Sequence, residues 1–202
     1  FQFTLVMVYA IALLGLNMLT GYNGQISLGH GAFYAIGAYV AAILMDKAGV
    51  HIDDRKVTVA AKEKAELTGL PASAIELPDG RIVTGKTSAL FGASSSVLLN
   101  AIKVLAGIDD GIDLIARSVI EPVQMLKTEI LGNHNPRLHS DETLVALSVS
   151  AATNPTAKRA MEMLSALRGT QAHATVILSQ VDVQTFRKLG IQLTCDPQYQ
   201  TR

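Results

Sequence analysis

No Asp, Glu, Lys or Arg occurs among residues 1–45, and all 17 basic and 17 acidic residues lie from Asp46 onward. A helix without charge on any side has no face suited to water, so its burial in protein or lipid is required. Past Asp46 the apolar runs alternate with charged ones, as in an ordinary water-soluble domain. The fold class expected from this contrast is a mixed α/β C-terminal domain, residues 46–202, preceded by hydrophobic, transmembrane-like helices within residues 1–45.

The charge-free stretch divides into three parts. Residues 3–19 are apolar apart from Thr4 and Asn17, long enough at about 1.5 Å per residue to cross a hydrocarbon core. Residues 20–31 (TGYNGQISLGHG) are polar and rich in glycine, and residues 32–45 are apolar again but only of half-helix length. Asn17, Asn23, Gln25 and His30 are costly in lipid unless they face protein or a watery cavity. Gly37 and Ala41 form a small-xxx-small step that allows close helix packing. Discontinuous transporter helices have this apolar–broken–apolar order; a buried helical hairpin in a soluble protein is the alternative. The basic n-region and cleavage site of a signal peptide are missing, and an opening Phe1 in place of Met reads as a fragment or a processed product. The run YAIALLGLNMLTGYNGQISLGHGAFYAIGAYVAAIL resembles the N-terminal region of permease subunits of branched-chain amino acid ABC transporters. That resemblance implies an inner-membrane subunit whose transport path needs further helices, with ATP bound by a separate subunit.

Composition narrows the function classes. The net charge is zero, no block of like charge stands out, aromatics are 5% and Trp is absent. A nucleic-acid binder carries a basic patch and stacking aromatics, so that class is set aside. A single cysteine, Cys195, cannot form an internal disulfide framework and suits a reducing compartment, with the C-terminal domain expected in the cytoplasm.

Taken in order, residues 46–202 predict a helix capped by Asp53 or Asp54 and stopped by Gly69, with Val57, Ala61 and Ala65 along one stripe. Residues 74–77 and 81–84 read as a hairpin turned by Pro78-Asp79-Gly80. A largely apolar helix over 90–106 follows, restarted at Gly92 and capped by Ser94. Its apolar girth suggests burial between layers or a contact between copies. The spacing predicts a further helix over 118–131 with Pro122 in its first turn, then one over 141–153 started by Ser140. Asn154-Pro155 starts another helix reaching Leu167. A strand over 172–178 containing His173, a short helix capped by Asp182, and a strand over 191–195 close the chain, giving one mixed α/β domain.

Two stretches carry candidate chemistry. Residues 80–87, GRIVTGKT, match G-x-x-x-x-G-K-[ST] letter for letter, but a phosphate loop needs its strand before the first glycine, and here the strand lies between the glycines. What survives is a corner, Lys86, Thr87 and Ser88, leading into a helix N-terminus that attracts anions. The second stretch, residues 133–142, packs two histidines, two amides, an arginine and two acids together. His134 and His139 are the candidate acid/base residues, since imidazole titrates near neutrality. Asn133, Asn135 and Arg137 join Lys86, Thr87 and Ser88 as candidate anion contacts. The His134/His139 spacing is not that of a helical zinc site and Pro136 interrupts any helix through both, so no metal is expected. The bland alternative is a loop whose Asn and Ser side chains cap helices. No cofactor is identified by these residues.

The runs AIELPDGRIVTGKTSAL, LGNHNPRLHSDE, SAATNPTA, ATVILSQVD and FRKLGIQLTCDPQYQT resemble the C-terminal third of a bacterial family known only as a domain of unknown function. The resemblance implies a soluble cytoplasmic protein whose larger first part holds a glycine-rich, P-loop-like segment, and it transfers no catalytic residue. Four readings follow: a composite of a permease fragment and a soluble C-terminal domain, without a complete active site; an enzyme fragment binding a phosphorylated small molecule; an assembly module; and a transport component. The expected partners are a membrane through residues 1–45 and a second copy through residues 90–106.

Overall fold

The computed structural model describes residues 7–11, 29–49 and 51–199. The chain forms two compact units, Phe1–His51 and Ile52–Arg202. In the first unit residues 7–11 are helical and helix α1 spans Gly29–Lys47. From Ala35 onward its apolar side chains are exposed, among them Tyr39 at 69% and Leu44 at 61%. Among the described residues no helix is long and apolar enough to cross a membrane, which overturns the expectation of transmembrane-like helices ahead of the domain. The physical reason is length. The apolar run inside α1, residues 32–45, spans roughly 21 Å at 1.5 Å per residue, short of the roughly 30 Å hydrocarbon core. The span expected over residues 3–19 and the glycine-rich break over 20–31 lie largely outside the described residues.

The second unit is built on a four-stranded sheet of order β2-β1-β3-β4, with β1 at Ala72–Glu76, β2 at Ile82–Lys86, β3 at Gln171–Ala174 and β4 at Gln192–Cys195. Strand β1 is antiparallel to both β2 and β3, and β3 is parallel to β4. Strand alternation separates two cores. Ala74 meets Val57 and Ala61 of helix α2, Lys56–Thr68, on one side. Ile75, Val83 and Ala172 join the larger core on the other.

That larger core is dominated by helix α3, Ala93–Leu105, whose Val97, Leu98, Ala101 and Ile102 are at most 1% exposed. The apolar girth read from residues 90–106 is thus used within the domain. Strand β2 and α3 lie in backbone contact: a Cβ on Gly85 would sit 2.3 Å from the Val97 nitrogen. The second glycine of GRIVTGKT therefore serves close strand–helix packing, and the first, Gly80 at φ 81, turns the hairpin. No phosphate loop forms between them.

The remaining helices are α4, Arg117–Met125; α5, Ser140–Ala151; α6, Pro155–Glu162; and α7, Gln180–Leu189. Asn154 caps α6 through its side chain, accepting from the Thr156 and Ala157 N–H groups, and Gly69 and Gly190 end α2 and α7 in the left-handed region. Other boundaries moved. Helix α2 starts at Lys56 behind an Arg55 N-cap, with Asp53 and Asp54 drawn into a separate 3₁₀ turn, Ile52–Asp54. Helix α4 begins early enough to put Pro122 in its interior, where proline removes a backbone donor; the chain then continues as a wider π turn, Leu126–Ile130. Strand β3 stops at Ala174, well before residue 178.

Candidate acid–base site at three helix N-termini

Helices α3, α5 and α7 begin at one place, and the chain around residues 88–95 and 133–140 holds them there. Leu138 donates its N–H to Leu90 O at 2.9 Å and accepts on its own carbonyl from Gly92 N (3.3 Å) and Ser95 Oγ (2.9 Å). The N-caps are Gly92, His139 and Ser179 respectively. Helix N-termini present unpaired N–H groups and partial positive charge, so their convergence creates a demand for a buried anion.

Asp182, in the first turn of α7 and 4% exposed, supplies it. Its Oδ1 accepts from Ser94 Oγ of α3 (2.9 Å) and from the N–H (2.8 Å) and Oγ (2.5 Å) of Ser140 of α5. Its Oδ2 accepts from Ser179 Oγ at 2.6 Å and lies 3.0 Å from His139 Nδ1. Burial by itself pushes the carboxyl up. The hydrogen bonds from His139, Ser140 and Ser179 outweigh it and hold the group well below the usual carboxylate range. In return the bond to Asp182 raises His139 above an ordinary histidine, against a smaller opposing effect of its own burial.

His139 is also fixed through its backbone. Its N–H donates to Glu142 Oε2 at 2.7 Å, and the same oxygen takes a 2.7 Å bond from the buried Lys127 ammonium, which donates as well to Arg137 O at 2.7 Å. Lys127 is 4% exposed, so its charge is compensated inside the fold. With Nδ1 committed to Asp182, Nε2 is the nitrogen left for exchange with a ligand. The side chain is 31% exposed and borders a cavity of about 110 Å³ shared with Thr87, Gly92, Asn135 and Arg137. Arg137 is oriented by its Nε donating to Ser88 O at 2.9 Å and its N–H to Asn135 Oδ1 at 3.1 Å.

The structure thus brings His139, Arg137, Asn135 and Thr87 to one cavity. Lys86 and Ser88 border a different one, because successive residues at a strand end face opposite ways. Asn133 and His134 are exposed and border neither cavity. Sequence reasoning overlooked Asp182 as more than a cap, together with its donors Ser94 and Ser179 and the Lys127–Glu142 pair. A signal existed: Ser179-x-x-Asp182 has the [ST]-x-x-[DE] form that marks a structured helix start. Among the described residues no group of His, Cys, Asp and Glu could hold a metal ion.

The chain is 57% identical over 161 residues to the UPF0371 protein of Corynebacterium efficiens, a match covering 80% of this chain and 32% of that protein. It is 54% identical over 158 residues to a UPF0371 protein of Streptococcus pyogenes serotype M3, covering 78% of this chain and 32% of the relative. The chain therefore spans about a third of the length of the curated relatives it matches. One uncharacterised family accounting for four fifths of the residues overturns the reading of the chain as a permease composite. The membrane, transmembrane and amino-acid-transport assignments drawn from residues 1–45 fall with it, and no described helix supports the inner-membrane one. Through residues 53–202 the chain belongs to the family described as domain of unknown function DUF1846, C-terminal.

Proposed function

We propose that the second unit contributes an acid–base site of a cytoplasmic enzyme, in which His139 Nε2 exchanges a proton with a small polar substrate bearing a negative group. The observation that carries this is the pairing of His139 Nδ1 with a buried, multiply hydrogen-bonded Asp182 while His139 borders a cavity it shares with Arg137. An imidazole held this way keeps one tautomer and one orientation, which is what proton transfer requires. Protonation of His139 makes the His–Asp pair neutral. An anion entering the cavity then meets Arg137 and the unpaired N–H groups of α3 without net repulsion from Asp182. The single cysteine, with no internal partner for a disulfide, suits that reducing compartment.

Imidazole NMR of the 202-residue chain, with and without inorganic phosphate, tests the proposal. His139 is expected to titrate above an ordinary histidine and to shift further up when phosphate is added, while His139→Gln abolishes the phosphate-linked shift. An ordinary or depressed His139 titration, or one indifferent to phosphate, would remove the basis for the assignment.

A further inference from the structure

A second cavity of the second unit, about 290 Å³, is independent of the His139 site. It lies beyond the exposed end of β2, between α3 and the irregular segment 107–116. Its walls combine two ammonium groups with apolar surface: Lys86 and Lys103 on one hand, and Phe91, Leu99, Leu114 and Ile115 on the other.

Lys103 is the unusual component. It is 8% exposed, and its Nζ donates to the backbone carbonyl of Asp110 at 2.5 Å. The nearest carboxylate oxygen, on Asp110, is 3.7 Å away on a side chain that is 97% exposed. One of three ammonium donors is thereby used, and the counter-charge sits in water, where it is screened. Asp113, the other acid at this cavity, is exposed as well. A buried cation with spare donors facing an open space is under-compensated, and an anionic group completes it. Its position in the last turn of α3 favours a positive charge but adds no acceptor for the spare donors.

The apolar walls add a second requirement. Phe91 is half-buried and Ile112 is 44% exposed, so a ligand resting there removes apolar surface from water, with the buried Leu99, Leu114 and Ile115 backing the wall. Asn100 is already fixed, donating Nδ2 to Thr84 O at 2.9 Å, which leaves its Oδ1 as a polar contact. Inorganic ions satisfy only the lysines, and neutral apolar molecules only the walls.

We infer that this cavity binds a small amphiphilic anion, its carboxylate or phosphate on Lys103 and Lys86 and its hydrocarbon or aromatic part against Leu99, Leu114 and Ile115. The lysine of the GRIVTGKT run therefore serves a ligand site without a phosphate loop.

The test is a ¹⁵N NMR titration of the whole chain with four probes: benzoate, phenyl phosphate, benzyl alcohol and inorganic phosphate. Benzoate or phenyl phosphate, whichever headgroup is preferred, should perturb the backbone signals of residues 86, 99, 103 and 112–115. Benzyl alcohol and inorganic phosphate should bind there at least tenfold more weakly. Lys103→Met should weaken the preferred anion about tenfold or more and Lys86→Ala severalfold; the exposed Lys86 variant keeps the test decisive if the buried one fails to fold. Equal binding of the neutral alcohol, or shifts confined to residues around His139 or residues 1–51, would overturn the inference. Failure here leaves the His139 titration untouched, because the two cavities share no lining residue.

Discussion

The second unit contains two histidine–aspartate pairs, and they behave oppositely. His139 faces Asp182 at 3.0 Å with its Nδ1 in hydrogen-bonding geometry, and its proton affinity is raised. His173, on β3, places Nε2 3.3 Å from Asp196 Oδ1 without the alignment of a hydrogen bond, while its Nδ1 meets Thr194 Oγ1 at 2.9 Å. Burial lowers its proton affinity, only partly offset by Asp196 and reinforced by Arg55. Proximity of unlike residues decides little. What separates the pairs is the state of the carboxylate: five hydrogen bonds and three helix N-termini keep Asp182 charged and aimed at its histidine. Asp196 offers distance without direction.

Asp182→Ala breaks the first pair most completely. It strands the donors of the buried Ser94 and Ser140 and of the half-buried Ser179, and losing one partner of a buried charge network costs about 3–5 kcal/mol. Urea unfolding should show a loss of that order, with the His139 titration falling toward the ordinary value. Unchanged stability would mean the three helices do not depend on this anion.

Lys127→Met should cost less, about 1–3 kcal/mol, because the Glu142 carboxylate it leaves is 29% exposed and can turn to water. The bond to Asp182 stays, so His139 should remain raised and move slightly further up as the nearby positive charge disappears. A fall in that titration would show that Lys127 orients the imidazole.

The pairs also set opposite pH dependences. His139 binds its proton more tightly folded than unfolded, so its stabilisation is full below about pH 6.5 and fades as pH rises through its raised pKa. His173 binds its proton less tightly when folded, so its effect is a loss of stability as pH falls below about 6.5 toward its depressed pKa. Asp182 adds a further loss below about pH 4, as its unfolded counterpart becomes protonated. Thermal melts across pH 4–9 should therefore peak near the ordinary histidine value. His173→Gln should flatten the slope between pH 5 and 6.5, and an unaltered slope would refute its buried, neutral state.

Asp196→Asn should have the smallest effect, under about 1 kcal/mol, since the pair lacks a directed bond. His173 should titrate lower still. A loss comparable to that of Asp182→Ala would erase the distinction between the two pairs.

Much of the architecture was legible from local chemistry. Pro78-Asp79-Gly80 marked a hairpin, Asn154-Pro155 a helix start and Gly69 a helix end, because turns and caps depend on residues within one helical turn. The corner at 85–88 was legible only as a unit, and the fold divides it: Thr87 is buried at the His139 cavity and Lys86 faces the other. Asp182 looked like a cap because its own neighbourhood says only that; Ser179 is the cap. The transmembrane expectation failed by generalising from absence of charge to membrane, when the described helix is too short in its apolar part.

Sequence alone determined which segments became helices and strands, and that the charge-free opening differs from the rest, because periodicity, propensity and turn chemistry act over a few residues. Tertiary structure alone decided which charged groups meet. Asp182 meets His139 across 43 residues and Ser94 across 88. The proton affinity of a buried group is fixed by donors and dielectric that only the folded chain assembles around it.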